Sequence, residues 1–313
     1  MVPQILRRLV ATIPVMGVVA IAVFALLHVT PGDPAVIIAG DYATSDDIAR
    51  IRAKLGLDRP FGAQVGIWLS QVVRGDLGTS IFSGLPVVTL IGQRAEATIG
   101  LTLLAMLISV GVGVPLGVLA AWKQGSWIDR VVMVVAVSGF SMPVFWLGFL
   151  LVYVFAITTA WLPVQGYVPF RTGLWPFLKH LTLPALTLSV VYMALIARMT
   201  RASMLEVLSE DYIRTAFAKG AAPGSVLGRH ALKNASLPVV TIIGIGFALL
   251  IGGAVVTESV FALPGLGRLT VDAILRRDYP VIQGVILVVS GVYVLINLVV
   301  DLLYVFLDPR IRY

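Results

Sequence analysis

Residues 211–238 read DYIRTAFAKGAAPGSVLGRHALKNASLP, and this stretch decides how the rest of the chain is arranged. It is polar, basic and punctuated by glycine, and it lies between two long apolar runs at 181–199 and 237–256. Its first half, Tyr212 to Lys219, contains no Pro or Gly and reads as a short helix, which Gly220 and Pro223 stop. If the flanking runs cross a membrane, this helix is held at the membrane surface. There it can serve as a rigid handle for a partner outside the bilayer.

The composition supports that premise. The chain has 313 residues, of which 58% are apolar and only 12% charged, too apolar for a water-soluble core. Apolar runs of about 18 residues or more recur, long enough to cross a hydrocarbon slab. The runs are continuous rather than alternating, so helices are expected instead of a barrel. The reading is an all-α integral membrane protein with about six transmembrane helices. They fall near 9–29, 97–121, 131–159, 181–200, 237–256 and 281–306. Arg7 and Arg8 before the first run resemble a signal peptide, but the run continues past Ala20-Ile21-Ala22, so an uncleaved helix is expected.

Charge sets the orientation. Arg7, Arg8, Lys123, Arg130, Arg201, Arg214, Lys219, Arg229, Lys233, Arg310 and Arg312 fall on one side. The short loops on the other carry Arg171, Lys179, Arg268, Arg276 and Arg277. The basic-rich side is expected to be cytoplasmic, with both termini inside. The net charge of +7 is then a consequence of topology, not a sign of nucleic-acid binding. The expected organisation is an N-terminal transmembrane helix (1–30), an extracytoplasmic cap (31–93), a transmembrane domain (94–305) with a cytoplasmic loop at 201–236, and a cytoplasmic tail (306–313). Within the cap, Thr44-Ser45-Asp46-Asp47 can start a helix with Ile48, Ile51 and Leu55 on one face, ended by Gly56. A second amphipathic stretch carries Val65, Trp68, Leu69, Val72 and Val73 and ends at Gly75. The pair reads equally as a folded cap or as two interfacial helices.

Enzyme chemistry finds no support. Cysteine is absent, which removes disulfides and thiolate metal sites; His28, His180 and His230 are scattered, and no metal site is expected. There is no phosphate-binding G-x-x-x-x-G-K-[ST] and no G-x-S-x-G. Asp301 is the acid deepest within an expected span, and it reads either as a functional group or as a local partner of Tyr304, Arg310 or Arg312. Mid-span ionisable groups are otherwise missing, which weakens the alternative of a stand-alone secondary carrier or channel. Gly111, Gly113, Pro115 and Gly117 are expected to break the second span, and Gly244, Gly246, Gly252 and Gly253 to allow close helix contact in the fifth. Pro143 is expected to bend the third. Ser141, Met142, Phe145 and Trp146 around it are candidates for a pathway lining, with plain helix packing as the other reading. The loop 258–278 has turn signals at Pro264-Gly265 and Gly267 among Phe261, Leu263, Leu266 and Leu269. It reads as a re-entrant, half-buried hairpin over the outer mouth, with Glu258, Phe261, Pro264, Gly265 and Gly267 as candidate gate residues.

Ordered blocks along the chain carry a resemblance. They are His28-Val-Thr-Pro-Gly-Asp33-Pro34, Leu55-Gly-Leu-Asp58-Arg-Pro60, Gly75-Asp-Leu-Gly-Thr-Ser80, Tyr212 to Gly220, His230 to Pro238, Glu258 to Gly267, Arg277-Asp-Tyr-Pro280, and the ending from Asp301 to Tyr313. Together they resemble the binding-protein-dependent (type I) ABC importer permeases, within them the B-type subunit of dipeptide, oligopeptide and nickel permeases. The resemblance places Arg214 at the Glu of the general importer pattern E-A-A-x-x-x-G, Thr215 at its first Ala, and Ala216 and Gly220 at matching positions. It implies that Tyr212, Arg214, Thr215, Ala216, Lys219, Gly220 and Pro223 couple the chain to an ATPase. It also implies two cytoplasmic ABC ATPase subunits carrying ATP–Mg, no cofactor on this chain, a second homologous permease, an extracytoplasmic solute-binding protein, and a place in the cell inner membrane.

Overall fold

The computed structural model describes residues 2–29, 34–39, 43–54 and 56–307. The 308–313 tail, including Arg310 and Arg312, and the Thr30-Pro31-Gly32-Asp33 and Leu55 positions of the sequence blocks lie outside the described residues. The described residues form helices; the only pairing of extended backbone among them is an isolated antiparallel bridge, Thr79 to Pro86. The chain divides into two compact units.

The first unit comprises Met1–Ala95 and Leu269–Leu295. It holds α1 (Val2–Val29), α2 (Pro34–Ala39), α3 (Ser45–Lys54) and α4 (Phe61–Val73). The two expected helices after the first span are α3 and α4, and the glycines expected to end them do so: Gly56 has φ +68° and Gly75 φ +83°, a conformation glycine adopts at little cost. α4 packs on α1, where the Phe24 ring meets Phe61 at 5.7 Å and Trp68 at 5.4 Å. After α4 a tight turn folds back, with Ser80 N–H bonded to Leu85 O and Val87 N–H to Gly78 O. Asp278 holds this turn: its carboxylate accepts the Ser80 hydroxyl at 2.5 Å and the Ile81 amide at 3.2 Å.

The second unit comprises Glu96–Arg268 and Ile296–Tyr313. α5 (Val87–Trp122) starts in the first unit and runs on into this one. α6 (Trp127–Ser141), α7 (Val144–Leu151), a π-helical turn (Val152–Thr158), α8 (Leu174–Leu208), α9 (Asp211–Ala218), α10 (Pro223–Ser225), a second π-helical turn (Val226–Ala231) and α11 (Leu232–Val260) come next along the chain. α12 (Leu266–Arg276) and α13 (Tyr279–Leu307) each have residues in both units. α8 is the central element and packs on α6, α7 and α11. The core includes Leu101, Leu181, Leu188, Leu250, Phe261 and Leu263, all essentially inaccessible.

Among the described residues, four helices are long and apolar enough to cross a membrane: Val87–Trp122, Leu174–Leu208, Pro223–Val260 and Tyr279–Leu303. α1 has 28 residues, of which Val10–Ala25 form the apolar stretch with described side chains. The expected third span is different. It is two helices, Trp127–Ser141 and Val144–Thr158, meeting at 108°. Met142 (ψ 134°) and Pro143 (ψ 131°) are both extended, so the helix ends and restarts instead of kinking. The residue before a proline is pushed out of the helical region, and here it takes the whole junction with it.

Three further expectations need correction. α5 is not broken by its Gly and Pro residues; it runs unbroken through Pro115. Gly113 and Gly117 serve contact with α8, whereas a Cβ at Gly111 would meet nothing within 4 Å. A Cβ at Gly117 would sit 2.5 Å from Ala197 O, and one at Gly113 2.9 Å from Met193 O. The 258–278 stretch is not a loop: Glu258 belongs to the last turn of α11, and α12 occupies most of the remainder. The 266–276 residues alternate large apolar and charged side chains at helical spacing, and that is what makes them a surface helix. The expected spans were also cut short, because Arg94, Glu96, Lys179 and Arg201 read as boundaries although the helices continue past them.

Candidate functional site

The second unit has two ends about 35 Å apart, the rise of α5 from Thr98 to Ala121 at 1.5 Å per residue. The candidate residues collect at these ends and at the α6–α7 junction.

At one end stands α9. The sequence predicts this helix and its stop, and the local geometry explains both. Gly220 has φ +80°. The Gly220 amide bonds to Phe217 O at 2.9 Å, and the Ala221 amide reaches back to Ala216 O at 3.1 Å. This pair of reverse bonds closes the helix on itself and satisfies carbonyls that would otherwise face solvent. Pro223 then opens the next turn at a position where its missing N–H costs nothing. α9 buries one side chain, Ile213 (1% exposed), among Met204, Val226, Leu227, Ala231 and Ala235, with Ala121 from the end of α5. Asn234 Nδ2 donates to the Tyr212 hydroxyl at 2.7 Å and ties α9 to α11. Tyr212, Arg214, Thr215, Lys219, Gly220 and Pro223 are exposed, and so is Phe217, which the sequence reading passed over. Ala216 is the exception among the expected residues: it packs partly against the Ile213 cluster of its own chain. Arg214 approaches Asp211 at 3.4 Å with both side chains in solvent, a contact of little energetic weight.

The opposite end is built on Glu258, which the sequence reading placed at a loop edge. It is fully buried (0% exposed). Thr98 Oγ1 donates to Oε1 at 2.6 Å, and the Arg268 amide donates to Oε2 at 3.0 Å. The Thr98 hydroxyl in turn accepts the Leu266 amide at 2.8 Å. The carboxylate therefore fastens the chain after α11 and the start of α12 to α5. Gly265 and Gly267 have a specific reason to be glycine. A Cβ at Gly265 would overlap the Glu258 carboxyl group, and one at Gly267 would lie 2.9 Å from Oε2 and 2.6 Å from Val255 Cα. Phe261 fills the core beside this knot (1% exposed), and Pro264 makes the turn between them. Nearby, Glu96 accepts the Tyr167 hydroxyl at 2.7 Å and the Phe170 amide at 2.6 Å. Burial, and then the bond to Glu96, push the Tyr167 phenol above its ordinary range, so it remains a donor.

Ser141, Met142, Phe145 and Trp146 sit at the break between α6 and α7. Phe145 and Trp146 are about half exposed, and the Ser141 hydroxyl bonds back to Val137 O at 2.9 Å. The sequence reading missed one more feature. Asp129 at the start of α6 and Arg201 on α8 form a two-pronged ion pair, with Nε to Oδ1 at 2.6 Å and Nη2 to Oδ2 at 2.8 Å.

Comparison with known proteins identifies the family. Residues 113–313 match the family described as "Binding-protein-dependent transport system inner membrane component". Residues 1–102 match the corresponding N-terminal family of such membrane components. A probable peptide ABC transporter permease of Sinorhizobium fredii, y4tP, is 57% identical over 99% of both chains. The dipeptide permease DppB of Alkalihalophilus pseudofirmus is 44% identical, and the glutathione permease GsiC of Escherichia coli 46%, each over the full length of both chains. A solved inward-facing structure of the MetNI methionine ABC transporter superposes with a TM-score of 0.59 at 20% identity, covering 71% of this chain and 97% of that one. That likeness concerns the fold alone. On the family matches and the full-length relatives, the chain belongs to the inner-membrane components of binding-protein-dependent transport systems.

Proposed function

We propose that the chain is a permease subunit of an ATP-driven importer that carries peptides, and that separate ATPase subunits drive it through α9. The observation that carries the proposal is α9 itself. It is a short, self-closed helix anchored by one buried side chain, with its polar and aromatic residues left in solvent at the basic-rich end. Such an element contributes little to its own chain's core. It suits a surface that an outside partner grips.

In this reading the basic-rich end is cytoplasmic, which its Lys and Arg content supports. Two ABC ATPases hold ATP–Mg and engage the exposed face of α9: Tyr212, Arg214, Thr215, Phe217, Lys219 and the Gly220–Pro223 turn. The chain contains no phosphate-binding loop, so the energy source is external. ATPase closure displaces α9 and shifts the bundle between inward-open and outward-open states. That coupling exists only if the closed ATPases and the outward-open bundle favour each other. A second, homologous permease completes the pathway, and Ser141, Met142, Phe145 and Trp146 line this chain's half. A solute-binding protein delivers cargo at the opposite end of the second unit, over the Glu258–Gly267 turn. Peptides are the cargo most consistent with relatives named for peptide, dipeptide and glutathione transport.

The test is reconstitution. The chain is expected to co-purify with ATPase subunits, and uptake of labelled peptides is expected to stop when the Walker lysine of those subunits is replaced. Transport by this chain alone in liposomes, driven by an ion gradient, would refute the proposal.

A further inference from the structure

The Asp129–Arg201 pair has no part in the α9 surface or in the Glu258 knot, yet it is the best-formed charged contact among the described residues of the second unit. Its two parallel bonds fix both the distance and the angle between side chains. The Gly125 amide adds a third bond to Asp129 Oδ2 at 3.0 Å. The Asp129 side chain is 7% exposed and that of Arg201 26%. A desolvated ion pair is a poor way to gain stability, since two apolar side chains would hold the helices together as well. What a forked pair adds is one fixed register.

The position of the pair gives that register a use. Arg201 lies on α8 about 10 Å from the end of that helix, and only Ser209 and Glu210 separate α8 from α9. Displacement of α9 is therefore passed to α8 through this short connection, as well as to α11 through Asn234. The apolar cluster under α9 draws on α5, α8, the 226–231 turn and α11, and its described members include no residue of α6. α6 is joined to α8 by Asp129 at one end and by close packing of Gly139 on Val190 nearer the other, where an added Cβ would be 2.8 Å away. α6 then ends at the Met142–Pro143 break, about 18 Å from Asp129. Apolar packing alone permits packed helices to slide past one another. A forked ion pair does not.

We infer that Asp129 and Arg201 are positioning residues for transport: they make α6 follow α8, so that movement of α9 reaches the Met142–Pro143 break. The inference rests on the reading of α9 as the ATPase contact, and the experiment separates the two. The chain has no cysteine, so single cysteines can be introduced without background from this chain. In the complete transporter in vesicles, Ser141→Cys is labelled with a small maleimide in the nucleotide-free and ATP–vanadate states. In parallel, Phe217→Cys is crosslinked to a cysteine on the ATPase. Arg201→Lys keeps the charge and loses the fork. Asp129→Arg with Arg201→Asp exchanges the partners.

With the native pair, Ser141→Cys labelling is expected to differ between the two nucleotide states. In Arg201→Lys that difference should collapse and uptake per ATP hydrolysed should fall about tenfold. The Phe217→Cys crosslink and ATP hydrolysis should persist, and the exchanged pair should recover most of the lost uptake. Unchanged nucleotide-dependent labelling in Arg201→Lys overturns the inference. So does the absence of any labelling response in the otherwise unaltered chain, or failure of the exchanged pair to recover function while the transporter is assembled. Loss of the Phe217→Cys crosslink in the unaltered chain instead defeats the reading of α9, and the role of the pair falls with it.

Discussion

The two ends of the second unit are built in opposite ways. α9 is held by Ile213, one hydrogen bond from Asn234 and a backbone closure; its other side chains are mostly in solvent. The Glu258 knot is the reverse. Its carboxylate is inaccessible, its partners include a backbone amide and a hydroxyl, and its neighbours are glycines because nothing larger fits. The contrast separates two kinds of sensitivity. Substitutions in the knot act on the fold of this chain. Substitutions on the face of α9 have little to disturb within the chain, so a large effect there must come from a partner.

Four variants put that contrast at risk. The largest effect is expected at Gly265→Ala, where the new methyl would overlap the Glu258 carboxyl group. Overpacking at a site this rigid is expected to cost about 3 kcal/mol or more, and membrane immunoblots should show the chain depleted. Normal accumulation of this variant would mean that the knot yields easily. Next is Gly220→Arg. A Cβ at Gly220 meets nothing within 4 Å of its own chain, so the variant should remain in the membrane while uptake is abolished. Gly220→Asn serves as its control, because Asn tolerates φ +80° for about 1 kcal/mol. If Asn and Arg fail equally, the backbone matters there and the partner does not. Ile213→Ala should loosen α9 for about 2–3 kcal/mol of lost packing. It should lower uptake while leaving the Glu258 end intact, measurable as protease sensitivity confined to the 209–222 segment. The smallest effect is expected for Tyr212→Phe. It removes the acceptor for Asn234, costs about 1 kcal/mol, and should shift uptake only a few-fold.

Much of this arrangement was legible in the residues. The spans announced themselves by apolar run length. The α9 stop was readable because Gly220 followed by Pro223 has one common structural meaning. The glycines ending α3 and α4 were readable for the same reason. Tertiary facts were not. Glu258 looked like a loop charge because hydropathy cannot tell a buried, hydrogen-bonded carboxylate from a solvated one. The spacing of Glu258, Gly265 and Gly267 was the one signal in the residues, but its meaning needs the chain to fold back. Asp129 and Arg201 are 72 positions apart, and no local pattern links them. The break after Ser141 was expected as a bend, yet a proline does not reveal whether its predecessor will leave the helical region altogether.

Because α9 closes its own last turn, it owes nothing to a partner for its shape. On the proposed reading, a motor subunit arriving at this surface would find the contour already set and would spend no binding free energy on ordering it. Assembly in either order would then lead to the same complex, and detachment would leave α9 shaped for the next encounter.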